Sequence, residues 1–202
     1  MRSAKIEEQN QYMLRRQHDF RRAADIVTDA LMAFEEVEAV AVIGSVAKPL
    51  WKEVPRFSDF RRARIEVWHE CKDLDLAVWI SSQHRLGALR RARDVALRRA
   101  YESGTGPGTA NHEVDVFLIE PETDRYLGRL CHYSTCPKHK PDCYVPGCGA
   151  VPFNKCVEGF KPYVDLVASA THAMLYRRGV GRLRSALDLP APGHAEPDAR
   201  SA

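Results

Sequence analysis

Residues 72–80 have the sequence Lys72-Asp73-Leu74-Asp75-Leu76-Ala77-Val78-Trp79-Ile80. The apolar run that includes Leu74 and ends at Ile80 is typical of a buried β-strand. Because alternate residues of a strand face the same side, we expect Asp73 and Asp75 to point together. Adjacent carboxylates repel each other and lose hydration on burial, so a divalent cation between them is the first hypothesis. The alternative is a solvent-exposed strand start that is simply acidic.

Two other strands are predicted on either side of this stretch. Residues 39–43 are short, apolar and partly β-branched, and they stop at Gly44-Ser45, where the backbone can turn sharply. Residues 114–119 are apolar except for Asp115. A carboxylate in a buried strand is costly unless it is paired or coordinated.

Asp115 can complete a cluster with Asp73 and Asp75 if the third strand lies beside the second. Mg²⁺ prefers oxygen ligands and is commonly held by one or two carboxylates together with substrate phosphates. Two such ions can stabilise an in-line displacement at phosphorus. The three strands therefore predict a magnesium site.

The composition is that of an ordinary globular chain. Of the 202 residues, 28% are charged and 45% hydrophobic, and the net charge of +3 is too small to indicate nucleic acid by itself. No apolar run approaches the roughly 20 residues that a membrane span needs. The N-terminal residues 1–8 lack the apolar segment of a secretory signal. We expect a cytoplasmic protein with no membrane partner.

The pattern as a whole predicts an α+β fold, with a small mixed sheet flanked by helices. Helices are predicted over about 5–34 and from 81 or 82 to about 101, from apolar residues at helical spacing. The expected divisions are a first domain at 1–125 with an insertion at 46–72, a cysteine-rich segment at 126–160, a C-terminal helix at 161–188 and a disordered tail at 189–202. The C-terminal helix is predicted from the spacing of Tyr163, Val167, Ala170 and Met174.

The insertion at 46–72 interleaves aromatic and basic residues. A short helix is predicted over 57–64 and a strand over 64–68. Such interleaving is found in proteins that bind single-stranded nucleic acid, and it makes the insertion a candidate for contacts to an acceptor. A small core packed over the sheet is the alternative that we favour. The arginines of the second helix are expected to form a solvated face.

Five cysteines lie within residues 131–156. In a chain without an export signal, such a cluster indicates metal binding in preference to disulfide bonds. Tetrahedral zinc takes four Cys or His ligands. The pairs Cys131-x4-Cys136 and Cys143-x4-Cys148 form the favoured set. His139 competes for the fourth place, Cys156 and His132 are weaker candidates, and reduced thiols without metal are the alternative. The zinc would be structural.

The ordered set of motifs resembles the DNA polymerase β-like nucleotidyltransferase superfamily. That pattern is an apolar strand ending in Gly-Ser or Gly-Gly, an Asp-x-Asp before an apolar strand, and a third Asp on a later strand. The matching elements are Val42-Ile43-Gly44-Ser45, Asp73-Leu74-Asp75-Leu76 and Val114-Asp115-Val116. The resemblance covers roughly residues 24–119.

One departure from the pattern concerns spacing, because 27 residues separate Gly44-Ser45 from Asp73. Ser58-Asp59-Phe60-Arg61 lies closer and is the rival. It fails because Arg61 stands in place of the second carboxylate and no apolar strand follows. We therefore treat residues 46–72 as an insertion beside the site.

The resemblance implies a role for each matching residue. Gly44 would let the backbone approach a triphosphate, and Ser45 would hydrogen-bond it. Asp73 and Asp75 would hold two Mg²⁺ ions, and Asp115 would ligate the catalytic ion and lie where a base could take the acceptor's proton. The implied reaction is attack of an acceptor hydroxyl on the α-phosphorus of a nucleoside triphosphate such as ATP, with release of pyrophosphate.

The acceptor is left open by the sequence. A small molecule or a protein hydroxyl is expected, the latter with a possible protein partner or antitoxin, and RNA is less favoured. The alternative function is a non-catalytic nucleotide- or nucleic-acid-binding regulatory module on the same scaffold.

Overall fold

The computed structural model of the chain describes residues 2–130 and 173–192. Within them it is an α+β protein with one mixed sheet, one short hairpin and helices. The helices are α1 (Arg2–Leu31), α2 (Ser58–Arg62) and α3 (Leu86–Glu102). The strands are β1 (Val37–Ile43), β2 (Lys52–Glu53), β3 (Val67–Trp68), β4 (Leu74–Ile80), β5 (Val114–Ile119), β6 (Tyr126–Leu130), β7 (Ala173–Arg177) and β8 (Gly181–Arg182). None of the helices in these ranges has the length and apolar character needed to span a bilayer.

The sheet has six strands in the order β6-β5-β4-β1-β7-β8. Only the pair β4 and β5 is parallel, and α3 makes the crossover between them. The remaining neighbours are antiparallel. The three strands predicted from sequence therefore lie side by side, with β4 in the middle.

The main core lies between one face of the sheet and the helices α1 and α3. Alternate residues of the three central strands point into it, so that β1 buries Val40 and Val42 while β4 buries Leu76 and Val78. From the helices, the largest fully buried apolar side chains in this core include Phe20, Leu31 and Leu89.

The opposite face of the sheet carries the other half of each strand's residues. Ala41, Ala77 and Ile43 form part of a smaller apolar cluster there. Asp75 belongs to the same set of alternate residues as Ala77, and Asp115 pairs in register with it. The carboxylates therefore lie on the face away from α1 and α3.

The insertion at 46–72 forms the hairpin β2–β3 and the helix α2, and it packs on the N-terminal half of α1. Asn10 of α1 accepts hydrogen bonds from the Trp68 backbone N–H at 2.9 Å and from Lys52 at 3.2 Å. Phe60 and Val67 are buried. Trp51 and Phe57 stay 42% and 49% exposed, so this small core covers only part of the aromatic surface. The core lies against α1 rather than over the sheet.

The predicted C-terminal helix is wrong over its described part. Residues 173–177 form strand β7, which pairs antiparallel with β1, and β8 follows at Gly181–Arg182. The open edge of β1 provides hydrogen-bond partners for this segment, and this pairing overrides the helical preference of Ala173, Met174 and Leu175. Residues 161–172 lie outside the described residues.

Two predicted boundaries also need correction. The first domain does not end at residue 125, because Tyr126–Leu130 forms β6 of the same sheet. The tail from 189 is ordered over its described residues: Leu189 is buried, and Arg21 donates to the carbonyl oxygens of Leu189 at 2.8 Å and Pro190 at 3.1 Å. Residues 193–202 lie outside the described ranges.

The arginine-rich face of α3 was predicted to be solvated, and Arg93 is the exception. Its side chain is 1% exposed and forms an ion pair with Asp94 at 2.8 Å. It also donates to the carbonyl oxygens of Val114 at 3.3 Å and Leu130 at 3.2 Å. Arg93 therefore ties α3 to the start of β5 and the end of β6.

Candidate metal centre

Three carboxylates meet at the start of the parallel pair of strands. Asp75 on β4 is in register with Asp115 on β5, and Asp73 precedes β4 by one residue. One oxygen from each lies within 4.8 Å of the others. Asp73 is exposed, and Asp75 and Asp115 are half-buried. The cluster is thus open to solvent on one side and backed by the sheet on the other.

Gly44 lies against this cluster from the end of β1. Ile43 pairs with Asp75, and Gly44 turns the chain away with a φ of +71°. A β-carbon at Gly44 would lie 2.8 Å from Oδ2 of Asp75, which is closer than such contacts allow. Two features of this position therefore require glycine: its backbone conformation and its close approach to the carboxylate.

Burial and mutual repulsion make the carboxylates hard to ionise together. Burial, followed by the charges of Asp73 and Asp115, raises the pKa of Asp75 to about 7. Burial also raises the pKa of Asp115, against the opposing effect of Arg129. A cation placed among these oxygens would relieve both the repulsion and the desolvation.

Arg129 is a site residue that the sequence reasoning missed. It lies on β6 opposite Phe117, on the same face of the sheet as Asp115, and its Nη1 donates to Oδ2 of Asp115 at 2.6 Å. Its side chain is 41% exposed. The only signal in the sequence is the polar turn at 121–125, which allows a hairpin whose return strand would carry Arg129 beside β5.

Arg16 of α1 is a second residue that was missed. Its Nη2 forms an ion pair with Glu113 at 2.5 Å and contacts the Lys72 carbonyl oxygen at 3.4 Å. Lys72 precedes Asp73, and Glu113 lies two residues before Asp115. Arg16 therefore holds together the starts of the two strands that carry the carboxylates. Its place on the polar side of a predicted helix gave no indication of this contact.

Ser45 lies directly after Gly44, just before the insertion. It lies in the short 3₁₀ helix Gly44–Ala47, beside the buried Cys71. Its carbonyl oxygen accepts from Gln17 at 3.3 Å. Burial raises the pKa of the Cys71 thiol. The Ser45 backbone is thus hydrogen-bonded to α1 at the point where the insertion begins.

The remaining predicted residues lie elsewhere. The rival Asp59 is exposed on α2 and is not a member of the carboxylate cluster. The expected zinc ligands fall outside the described residues: Cys131, Cys136, Cys143 and Cys148, with His139, His132 and Cys156 as the alternatives.

The cluster fits a hard divalent cation. Its donors are all carboxylate oxygens, and they converge from the starts of two neighbouring strands. Asp73, Asp75 and Asp115 could therefore hold a metal ion. Comparison of the chain with models of protein families, with curated proteins and with solved structures finds no match.

Proposed function

We propose that the protein is a metal-dependent nucleotidyltransferase, which transfers a nucleoside monophosphate from a nucleoside triphosphate to a hydroxyl acceptor. The observation that carries the proposal is the register of Asp75 and Asp115 on adjacent parallel strands, with Asp73 and Gly44 beside them. This arrangement supplies a carboxylate cluster next to a glycine turn, as the resemblance to polymerase β-like enzymes requires.

Each residue of the site would have its own role in this reaction. Asp73 and Asp75 would hold Mg²⁺, which when bound supplies charge neutralisation for the triphosphate. Gly44 would let the backbone approach the triphosphate near the cluster. Asp115 would lie where the acceptor's hydroxyl proton could be taken, while the acceptor oxygen bonds to the α-phosphorus, the bond to the bridging oxygen breaks and pyrophosphate leaves.

The acceptor is proposed to be a small molecule or a protein hydroxyl. The exposed rings of Trp51 and Phe57 lie in the insertion, both ends of which meet at the cluster, because Gly44 precedes it and Asp73 follows it. The insertion is therefore the part of the described chain best placed to select the acceptor.

The proposal is tested by labelling a cell extract with α-³²P nucleoside triphosphates. We expect the wild-type chain to label an acceptor and Asp73→Asn/Asp75→Asn to lose at least a hundredfold in rate, because these carboxylates would hold the ions. Asp19→Asn is a matched control, since Asp19 is an aspartate half-exposed on α1. Equal labelling by wild type and double mutant would overturn the proposal.

A second measurement, the shift of Tm on nucleotide binding, distinguishes the proposed enzyme from a regulatory module that binds nucleotide without turnover. A ligand at 100 times its Kd stabilises a protein by about 2.7 kcal/mol, which is a shift of several degrees in Tm for this size. A shift with Mg-NTP but no labelling would favour the module. No shift with any of the four nucleotides would count against both functions.

A further inference from the structure

An arginine side chain, Arg129, already contacts the carboxylate cluster at Asp115. The Arg129 guanidinium donates to one of the two carboxylate oxygens of Asp115 at 2.6 Å. Arg93 is also close to Asp115, but its hydrogen bonds go to backbone carbonyls and Asp94. Arg129 is thus the cation that the structure places in direct contact with Asp115, one of the three carboxylates of the cluster.

A metal ion and this guanidinium compete for the same carboxylate. Asp115 can offer a free oxygen only on the side that Arg129 leaves open, and a divalent cation among the oxygens of Asp73, Asp75 and Asp115 would repel the nearby guanidinium charge. Binding a metal alone therefore either weakens the ion pair or takes place at reduced affinity.

A triphosphate changes this balance. Its oxygens offer a planar guanidinium the same bidentate geometry as a carboxylate, with more negative charge. Arg129 is suited to such an exchange, because its side chain is 41% exposed and it extends from the neighbouring strand β6. The cost of leaving Asp115 would be offset by the new contact.

We propose that Arg129 acts as a stand-in cation on Asp115 in the ligand-free protein, and that it moves to the phosphates of a nucleoside triphosphate when metal and nucleotide bind together. The inference rests on the proposed function and adds its regulation: Arg129 makes metal binding depend on nucleotide. By linkage, metal must then strengthen nucleotide binding by the same factor.

The test measures Mn²⁺ binding by the full chain, from the electron paramagnetic resonance signal of free Mn²⁺. The variants are Arg129→Gln, Arg129→Lys and a control, Arg125→Gln. Arg125 forms an ion pair with Glu120 at 2.7 Å at the other end of the β5–β6 pair, so the control removes a similar ion pair away from the cluster. Asp75→Asn removes a ligand of the cluster, so the Mn²⁺ that this variant still binds is bound at other sites.

Without nucleotide, Arg129→Gln is expected to bind Mn²⁺ roughly three- to tenfold more tightly than wild type, as expected for loss of one partly exposed charged hydrogen bond. The Mn²⁺ affinity of Arg129→Lys should lie between those of wild type and Arg129→Gln, and the affinity of Arg125→Gln should match that of wild type. With α,β-methylene nucleoside triphosphates, tried in turn, the gain in Mn²⁺ affinity should be larger for wild type than for Arg129→Gln.

The contrary outcomes separate the two proposals. Equal Mn²⁺ affinity of Arg129→Gln, Arg125→Gln and wild type would show a purely structural ion pair and overturn the inference, leaving the proposed function standing. Tighter binding by Arg129→Gln with no effect of any nucleotide would overturn the exchange and count against the nucleotide as substrate. No Asp75-dependent Mn²⁺ binding by any variant would overturn both.

Discussion

At the scale of the residue, Asp75 links folding to ionisation. Its pKa is raised from 3.8 to about 7 by burial and by the neighbouring carboxylates, so the folded chain binds this proton more tightly than the unfolded chain does. The stabilising contribution of the proton is complete below about pH 4 and is lost as pH rises through 7. The metal-free protein should therefore gain stability from Asp75→Asn above neutral pH.

We expect Asp75→Asn to raise the free energy of unfolding at pH 8 by about 2 kcal/mol, less than the full shift implies because the carboxylates are coupled. The difference from wild type should shrink at pH 5. Urea unfolding in EDTA at both pH values measures it, and Asp19→Asn serves as the exposed control. A constant difference at the two pH values would contradict the prediction.

Gly44 provides a prediction with a close internal match. Gly44→Ala and Gly179→Ala both place a side chain at a positive φ, of +71° and +82°, which costs about 1 kcal/mol. Only Gly44→Ala also meets Oδ2 of Asp75, at 2.8 Å, whereas nothing lies within 4 Å of the new atom at Gly179. We expect Gly44→Ala to lose about 2–3 kcal/mol in urea unfolding and to weaken Mn²⁺ binding.

Gly179→Ala should keep wild-type Mn²⁺ affinity. If both variants lost the same stability and both bound Mn²⁺ normally, the close approach of Gly44 to the carboxylate would carry no energetic weight.

At the scale of the element, Asp25 fastens the C-terminal segment to α1. Its carboxylate accepts from the Ala186 backbone N–H at 2.8 Å and from the side chains of Arg182 and Ser185. Asp29 contacts only Arg182 among these, at 3.3 Å, and is 64% exposed. The two aspartates therefore differ in burial and in number of partners, one helical turn apart.

Asp25→Ala is expected to destabilise the protein by about 2–3 kcal/mol, because it removes the acceptor of the Ala186 N–H and leaves Arg182 paired only with the exposed Asp29. Asp29→Ala should cost under about 0.5 kcal/mol. Thermal unfolding of the two variants side by side checks the difference, and equal Tm values would show that the anchor is not at Asp25.

The strands that carry the carboxylates could be predicted because their own residues determine them. The run after Asp75 and the run around Asp115 are apolar and bounded by polar residues, so burial alone specifies a strand. Residues 173–177 are different, since Ala, Met and Leu favour a helix and only pairing with the distant β1 makes them a strand. Arg16 and Arg129 could not be placed for the same reason, because their contacts depend on packing and register.

At the scale of the whole molecule, the cysteine-rich stretch remains a prediction, since it falls outside the described residues. We expect about one zinc per chain in protein purified without added metal, released by Cys143→Ser/Cys148→Ser. Elemental analysis of both forms checks this, with the buried Cys71→Ser variant as a control that should keep its zinc. Well under one zinc in the wild type would remove the zinc site.

The topology of the insertion has a consequence for how such a chain can diversify. β1 and β4 are antiparallel neighbours, and Ile43 pairs with Asp75, so residues 44–74 form the loop of a hairpin. Lengthening such a loop costs little, because closure entropy grows only with the logarithm of its length. The loop can thus be lengthened by recombination, while Asp75 and Asp115 keep their positions in the sheet.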